Sequence, residues 1–343
     1  MERLKTWAGE VRRHHVVRRL IETDRLQISP DGVIDGPLVR FFRFRLMPSV
    51  PVSAPPRGLV RAIVWALLAT MYLALFGASV VVAVMYMADG VPEGVVKPPD
   101  PWTETLRGAV LVSLVLVGLL WLVCGASPRR LGLTWSGRAG LSRQLQVLAL
   151  YPLLVMTTHG LTDLAARVLN LPQHSWRSTV APSLDGVVGT LDAGPFEELL
   201  LLAAVVWLLR SVGYSWTVVA VVAVVVRIPF HLYYGPAVPL GYWFWPLAAV
   251  FLYRYSGALL AFIVGHSLNN ALATAHMWPS LAPWAELTYN LWIYVGIAIA
   301  VLWLWRRLRE PDPQRTSGTR ESGRLRRSQR TTSPSSQRVS PDA

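Results

Sequence analysis

Four ionisable side chains lie in apolar stretches of the sequence and have the chemistry for catalysis. Glu197 and Glu198 are adjacent, His231 follows the stretch that ends in Arg227, and His266 lies in a separate apolar stretch. An ionisable residue in a membrane-spanning helix is costly, so it usually faces the protein interior and has a function. A carboxylate and an imidazole together can activate water for hydrolysis. These residues therefore predict a buried polar site.

Both histidines are spaced to act with a second polar residue. Arg227 precedes His231 by four positions, and Asn270 follows His266 by four. In an α-helix such pairs share a face. His266 and Asn270 on one face can stabilise an oxyanion, although the same pair could form an interhelical hydrogen-bond clamp instead. His231 alone could be an interfacial hydrogen-bonding residue.

The paired carboxylates also have a structural interpretation. Pro195 suits the first turn of a helix, so a helix that begins near Glu197 could leave both acids in water at its N-terminus. The predicted depths of the polar side chains in the membrane favour a common site instead. At about 1.5 Å per residue, Glu197 lies about 9 Å below the outer end of its helix, His231 about 5 Å, Asn270 about 10 Å and His266 about 15 Å. All four thus fall in one slab of the outer leaflet.

The same side chains could hold a metal. Glu197, His231 and His266 are a plausible first shell for a divalent ion such as zinc, with one position left open for water. The residues leave open whether a cofactor is present.

The elements that position these residues are apolar segments long enough to be membrane helices. The chain has 343 residues, of which 53% are hydrophobic and 15% charged, whereas soluble domains carry about 25% charged residues. A span needs about 20 apolar residues, and the dyad alternation of a membrane barrel is missing. The sequence predicts an all-α, polytopic transmembrane helical bundle of about eight spans. The segments are 60–87, 108–127, 146–169, 191–209, 216–234, 239–253, 257–276 and 287–305.

The distribution of charge predicts the orientation. The formal net charge is +13, and basic residues concentrate in alternate loops, which predicts that both termini are cytoplasmic. We expect an integral protein of a bacterial plasma membrane whose basic termini contact anionic lipid. Nucleic-acid binding is not expected, because no such motif accompanies the charge. The predicted inner loops carry Arg129, Arg130, Arg138, Arg143, Arg210 and Arg254, and the outer loops only Lys97, Arg107 and Arg177.

Taken together, the motifs resemble the CPBP family of intramembrane proteases, which includes the CAAX prenyl endopeptidases. The family pattern is a Glu-Glu pair followed by Arg, then Phe-x-x-x-His, then His-x-x-x-Asn, on successive helices. The resemblance covers about residues 150 to 305. It implies a membrane-embedded endopeptidase in which Glu197 and His231 activate water, while His266 and Asn270 hold the oxyanion.

Two positions depart from the family pattern. Leu202 stands where the pattern has Arg, and Arg227 stands where it has Phe. We interpret these as one exchange, in which Arg227 supplies from the next helix the cation that the family takes from the first. Glu198 is its expected partner, because a buried charge needs one. Glu198 and Arg227 are thus supporting residues.

The sequence divides into four predicted regions. Residues 1–59 form a basic cytoplasmic N-terminal region, and residues 60–145 form two transmembrane helices with a basic loop. Residues 146–305 form a CPBP-like catalytic transmembrane core. Residues 306–343 form a basic tail too poor in apolar residues to fold, which we expect to be disordered.

Other functions compete with proteolysis. Glu, His and Arg at membrane depth could form the relay of a proton-coupled transporter, although the sequence shows no inverted repeat or paired broken helices. The chain could also be a non-catalytic family member that acts as a membrane scaffold. For a protease, the expected substrate is a membrane-associated protein or peptide, and no prenyl-binding groove is indicated.

Overall fold

Every element in the described part of the chain is helical. The computed structural model describes residues 58–89, 102–135, 137–172 and 184–309. The predicted tail beyond residue 309 and nearly all of the predicted N-terminal region lie outside these residues. The all-α prediction is confirmed. The helices are α1 Gly58–Asp89, α2 Trp102–Cys124, α3 Pro128–Leu131, α4 Gly137–Leu169, α5 Leu184–Gly189, α6 Ala193–Glu197, α7 Val205–Ser211, α8 Trp216–Arg227, α9 Val238–Gly241, α10 Phe244–Ser256, α11 Leu259–Ala275 and α12 Ala282–Arg309, with a π turn at Glu198–Ala204 and a 3-10 turn at Pro229–Tyr234.

The chain divides into two compact units, residues 1–300 and 301–343. The first contains every residue singled out by the sequence. In the second, the described residues are the last turns of α12.

Among the described residues, four helices are long and apolar enough to cross a membrane by themselves. They contain the candidate spans Gly58–Met87, Thr103–Cys124, Gly140–Leu169 and Ala282–Trp305. Leu122 on α2 is 87% exposed, as suits a side chain whose solvent is hydrocarbon. Trp216–Arg227 and Leu259–Ala275 are apolar but shorter. The polytopic membrane fold is confirmed, and the fourth to seventh predicted segments are shorter or interrupted helices.

The interrupted helix α6–π–α7 forms the centre of the bundle. Residues 199–209 are each at most 2% exposed. Irregular backbone at membrane depth is tolerated only where protein surrounds it. The central position of this segment therefore explains how it can carry a π turn.

Small residues bring α11 close to this central helix and to α4. A Cβ atom on Gly194 would overlap the carbonyl oxygen of Ile263 and the Ser267 hydroxyl, and one on Gly265 would overlap the Tyr151 ring. The Ser267 hydroxyl donates a 2.6 Å hydrogen bond to the carbonyl of Leu191. Such contacts are typical of packed membrane helices. They bring the Glu pair and His266 together.

We therefore expect Gly194→Val to destabilise the protein by about 1–3 kcal/mol, the usual cost of overpacking. The backbone of α11 blocks the new side chain and has little freedom to move. Thermal unfolding of the purified protein in detergent measures the effect. Gly189→Val is the matched control, because a Cβ there meets no atom within 4 Å. Equal unfolding temperatures for the two variants would contradict the close packing of α6 on α11.

Candidate active site

The two carboxylates lie at the junction of α6 and the π turn. Glu197 is the last residue of α6 and Glu198 the first of the π turn. Glu197 is 9% exposed and Glu198 is fully buried. The interpretation that both acids sit in water at a helix N-terminus is wrong, because the helix begins at Ala193 and the acids are covered. π turns of this kind occur frequently at functional sites.

Arg227, the last residue of α8, binds both carboxylates. Its Nη2 lies 2.7 Å from Oε1 of Glu198 and 3.3 Å from Oε2 of Glu197. The predicted pairing of Arg227 with Glu198 is confirmed, and the contact with Glu197 is additional. The guanidinium is 1% exposed. Its Cζ lies 3.8 Å from the centroid of the Trp245 ring, so a cation–π contact adds to the two ion pairs.

His231 lies just beyond Arg227, where the helix changes to a 3-10 turn. Pro229 has no N–H to continue the α-helical pattern, and the N–H of His231 bonds instead to the carbonyl of Ile228 at 3.0 Å. The carbonyl of Arg227 is left free and accepts a 2.8 Å hydrogen bond from Nδ1 of His231. The expectation that Arg227 and His231 share a face of one continuous α-helix is therefore corrected. The imidazole is held by backbone, and its Nε2 remains available.

His266 on α11 contacts the Glu pair through both ring nitrogens. Its Nδ1 lies 2.8 Å from Oε1 of Glu198, and its Nε2 lies 3.9 Å from Oε1 of Glu197. Because an ionised carboxylate only accepts, Nδ1 carries the proton in the shorter contact. Glu198 thus anchors Arg227 and His266 at once. The sequence predicted only the first of these contacts.

The four predicted catalytic residues meet at one cavity of about 60 Å³. Glu197, His231, His266 and Asn270 all line it, whereas Glu198 and Arg227 lie behind its wall. The side-chain amide of Asn269 lies 3.3 Å from Oδ1 of Asn270 and donates to it. The cavity can hold a few water molecules. Its other lining residues are Tyr151, Val155, Thr158, His159, Tyr233, Tyr234, Tyr242, Trp245 and Asn269.

The segment that carries these residues is similar to a known protein family. Residues 179–272 match the family described as Type II CAAX prenyl endopeptidase Rce1-like. Over this segment the chain is similar to that family. The segment contains all six residues singled out above, and the match supports an intramembrane protease. No curated protein and no solved structure matches the chain significantly.

The site is completed by aromatic residues that the sequence did not indicate. The Trp245 ring stands edge-on to His266, with centroids 4.9 Å apart, while its face stacks on Arg227. Tyr151, from α4 outside the matched segment, stacks on the His266 ring with centroids 6.1 Å apart and is fully buried. The aromatic run at residues 242–245 was a signal for such a role. Nothing in the sequence indicates which of its rings faces inward.

The arrangement of Glu197, His231 and His266 does not fit the predicted zinc shell. In residues 58–309, as far as they are described, no group of three or more His, Cys, Asp or Glu side chains is arranged to hold a metal ion. Both carboxylates instead bind the Arg227 guanidinium, whose charge disfavours a divalent cation beside it. We therefore assign no step to a metal.

Proposed function

We propose that this protein is an intramembrane endopeptidase that hydrolyses a peptide bond of a membrane-associated protein or peptide. The observation that carries the proposal is the convergence of Glu197, His231, His266 and Asn270 on one buried cavity. The three motifs are far apart in the sequence and reach the cavity from separate elements. The Rce1-like match of this segment gives the same reaction class.

Glu197 is the proposed general base. Its carboxylate lies 3.3 Å from Nη2 of Arg227 and 3.9 Å from Nε2 of His266, and it lines the cavity. Glu198, by contrast, is fully buried and bonded to two partners. Glu197 takes a proton from water as the oxygen attacks the scissile carbonyl carbon. Nε2 of His231 accepts the second hydrogen bond of that water and orients it. When the C–N bond breaks, Glu197 returns the proton to the leaving amine.

His266 and Asn270 are the proposed oxyanion donors. Nδ1 of His266 is bonded to Glu198, and Nε2 is the proposed donor to the oxyanion. Nδ2 of Asn269 donates a hydrogen bond to Oδ1 of Asn270. Nδ2 of Asn270 can therefore donate to the oxyanion. Donors fixed in advance of the reaction stabilise the developing charge in a site that excludes bulk water.

A membrane-peptide library tests the proposal. The purified protein in detergent is expected to cleave a subset of transmembrane peptides, and Glu197→Ala and His231→Ala are expected to abolish cleavage. His276→Gln is the matched control, since His276 is exposed and does not line the cavity. Cleavage that survived both alanine substitutions would contradict the assigned site.

A separate prediction concerns Asn270. We expect Asn270→Ala to lower kcat about 10²- to 10³-fold, as the loss of one oxyanion donor does elsewhere, with a much smaller change in KM. Steady-state kinetics on a peptide from the library measures the two constants. A loss confined to KM would show that Asn270 binds the ground state and the transition state equally, and would contradict its role as an oxyanion donor.

A further inference from the structure

His159 lies where the cavity opens to the outside of the protein. Among the described residues that line the cavity, His159 alone is exposed, whereas Glu197, His231 and His266 are buried. We call this side of the cavity its mouth. His159 belongs to α4, ahead of the segment that matches the Rce1-like family. A substrate that reaches Glu197 from this side passes the His159 imidazole.

Two tyrosine rings hold the His159 imidazole in place. The imidazole stands edge-on to Tyr234 and Tyr242, with centroids 5.9 and 6.2 Å away and interplanar angles of 86° and 85°. This is a favoured geometry for aromatic pairs. Tyr234 belongs to the 3-10 turn that carries His231, and Tyr242 follows α9. The ring contacts therefore fix the imidazole relative to the turn that carries His231.

The side of α4 that carries His159 is polar as far as the end of the helix. Asp163 and Arg167 follow at intervals of four residues, so the three lie along one side of the helix, and all three are exposed. At 1.5 Å per residue, His159 lies about 15 Å from the last residue of α4. It falls within the candidate span Gly140–Leu169. An ionisable side chain at such a depth is costly in lipid and usually has a function.

Hydrolysis within a membrane makes a particular demand on the mouth of the cavity. A transmembrane helix must unwind locally before water can attack one of its carbonyl carbons. Unwinding exposes backbone N–H and C=O groups, which are costly in hydrocarbon unless they find partners. A neutral imidazole meets this need from both sides, because one ring nitrogen donates a hydrogen bond and the other accepts one.

We propose that His159 binds the unwound backbone of a transmembrane peptide at the mouth of the cavity. This role rests on the proposed function and specifies the form of substrate that the site takes, a membrane-spanning segment opened locally from its helix. The contacts with Tyr234 and Tyr242 position the imidazole beside the catalytic turn. His159 is a substrate-binding residue, separate from the general base and from the oxyanion donors.

The affinity of an inactive protein for a peptide tests this role without cleavage. A fluorescent peptide of about 20 Leu and Ala residues, with a central Gly-Gly pair that eases unwinding, is titrated with the Glu197→Gln protein in detergent. Fluorescence polarisation gives Kd. We expect His159→Leu in this background to raise Kd about three- to tenfold, the effect of one lost hydrogen bond. His159→Gln keeps a donor and an acceptor and should restore most of the affinity.

Two comparisons separate binding from a structural role. His276→Leu removes an exposed imidazole that does not line the cavity, and it should leave Kd unchanged. Because His159 is exposed, His159→Leu should keep the unfolding temperature of its parent. In the protein with Glu197 intact, the same substitution should raise KM and change kcat by no more than about twofold, since it removes binding common to the ground state and the transition state.

The possible outcomes are distinct. Absence of measurable binding, a Kd that His159→Leu leaves unchanged, or an equal rise in His159→Gln would overturn the role of His159. So would a fall in kcat at constant KM. A protein whose Kd depends on His159 but which cleaves no peptide would contradict the proposed hydrolysis and support the binding site. Cleavage by the wild-type protein with no effect of His159→Leu on Kd would overturn the binding site alone.

Discussion

Replacing Glu197 by Gln is expected to lower kcat about 10²- to 10⁴-fold, the usual contribution of a general base. The substitution removes one carboxylate oxygen and its capacity to accept a proton. It keeps the shape of the side chain, and the amide oxygen can still accept the hydrogen bond from Arg227. We therefore expect the Glu197→Gln variant to fold and to bind substrate, but not to activate water.

Glu198→Gln separates this role from that of a structural anchor. Glu198 is fully buried and joins Arg227 to His266. The neutral Gln side chain removes one of the two negative charges that pair with the Arg227 guanidinium. We therefore expect a lower unfolding temperature as well as lower activity. Thermal unfolding and steady-state kinetics on both variants give the comparison. A Glu197→Gln protein that retained most of the wild-type kcat would exclude Glu197 as the base.

Replacing Arg227 by Leu is expected to destabilise the protein by about 3–5 kcal/mol. Two carboxylates would remain buried with no cation between them, and the loss of one partner of a buried ion pair has a cost of this size. The Trp245 ring would lose its cation–π partner at the same time. Chemical unfolding in detergent micelles measures the change, and activity should fall below detection.

Two further variants define the role of Arg227. Arg167→Leu removes an exposed arginine on α4 and should shift stability by no more than about 0.5 kcal/mol. Arg227→Lys keeps the charge, but it cannot reach both carboxylates and stack on Trp245 in one geometry. We expect it to recover part of the stability and little of the activity. An Arg227→Leu protein with normal expression and activity would refute the exchange of this cation between helices.

The pattern of apolar residues and polar interruptions predicted the helical membrane fold and the residues that meet at the cavity. Hydrophobic segments of span length are helices because a single segment can satisfy its own backbone in hydrocarbon only as a helix. Ionisable residues within them converge because burial in pairs is less costly than exposure to lipid. The partnership of Arg227 with Glu198 followed from the same reasoning, and the structure contains it.

Local backbone geometry could not be predicted in the same way. A π turn spans five residues per hydrogen bond instead of four, so Leu202 does not lie directly one turn beyond Glu198, as a regular helix would place it. The 3-10 turn that begins at Pro229 likewise changes the relation of His231 to Arg227. Both features depend on packing that a single sequence does not display.

The contacts that join the site through tertiary structure were also beyond the sequence. The bond between His266 and Glu198 links residues 68 positions apart. It forms only because Gly194, which has no side chain, lets α11 pack closely against α6. Trp245 was one of 15 tryptophans, with nothing in its spacing to mark it as the platform for Arg227. The orientation of the termini and the roles of the individual catalytic residues stay predictions.

The most direct test of peptide hydrolysis at this site is cleavage of a transmembrane peptide in water enriched in ¹⁸O, followed by mass spectrometry of the products. We expect the wild-type protein in liposomes to add one ¹⁸O atom to the new C-terminal carboxyl group, and Glu197→Gln to yield no such product. Wild-type liposomes without cleavage products across the peptide library, or equal ¹⁸O incorporation by both proteins, would contradict peptide hydrolysis at this site.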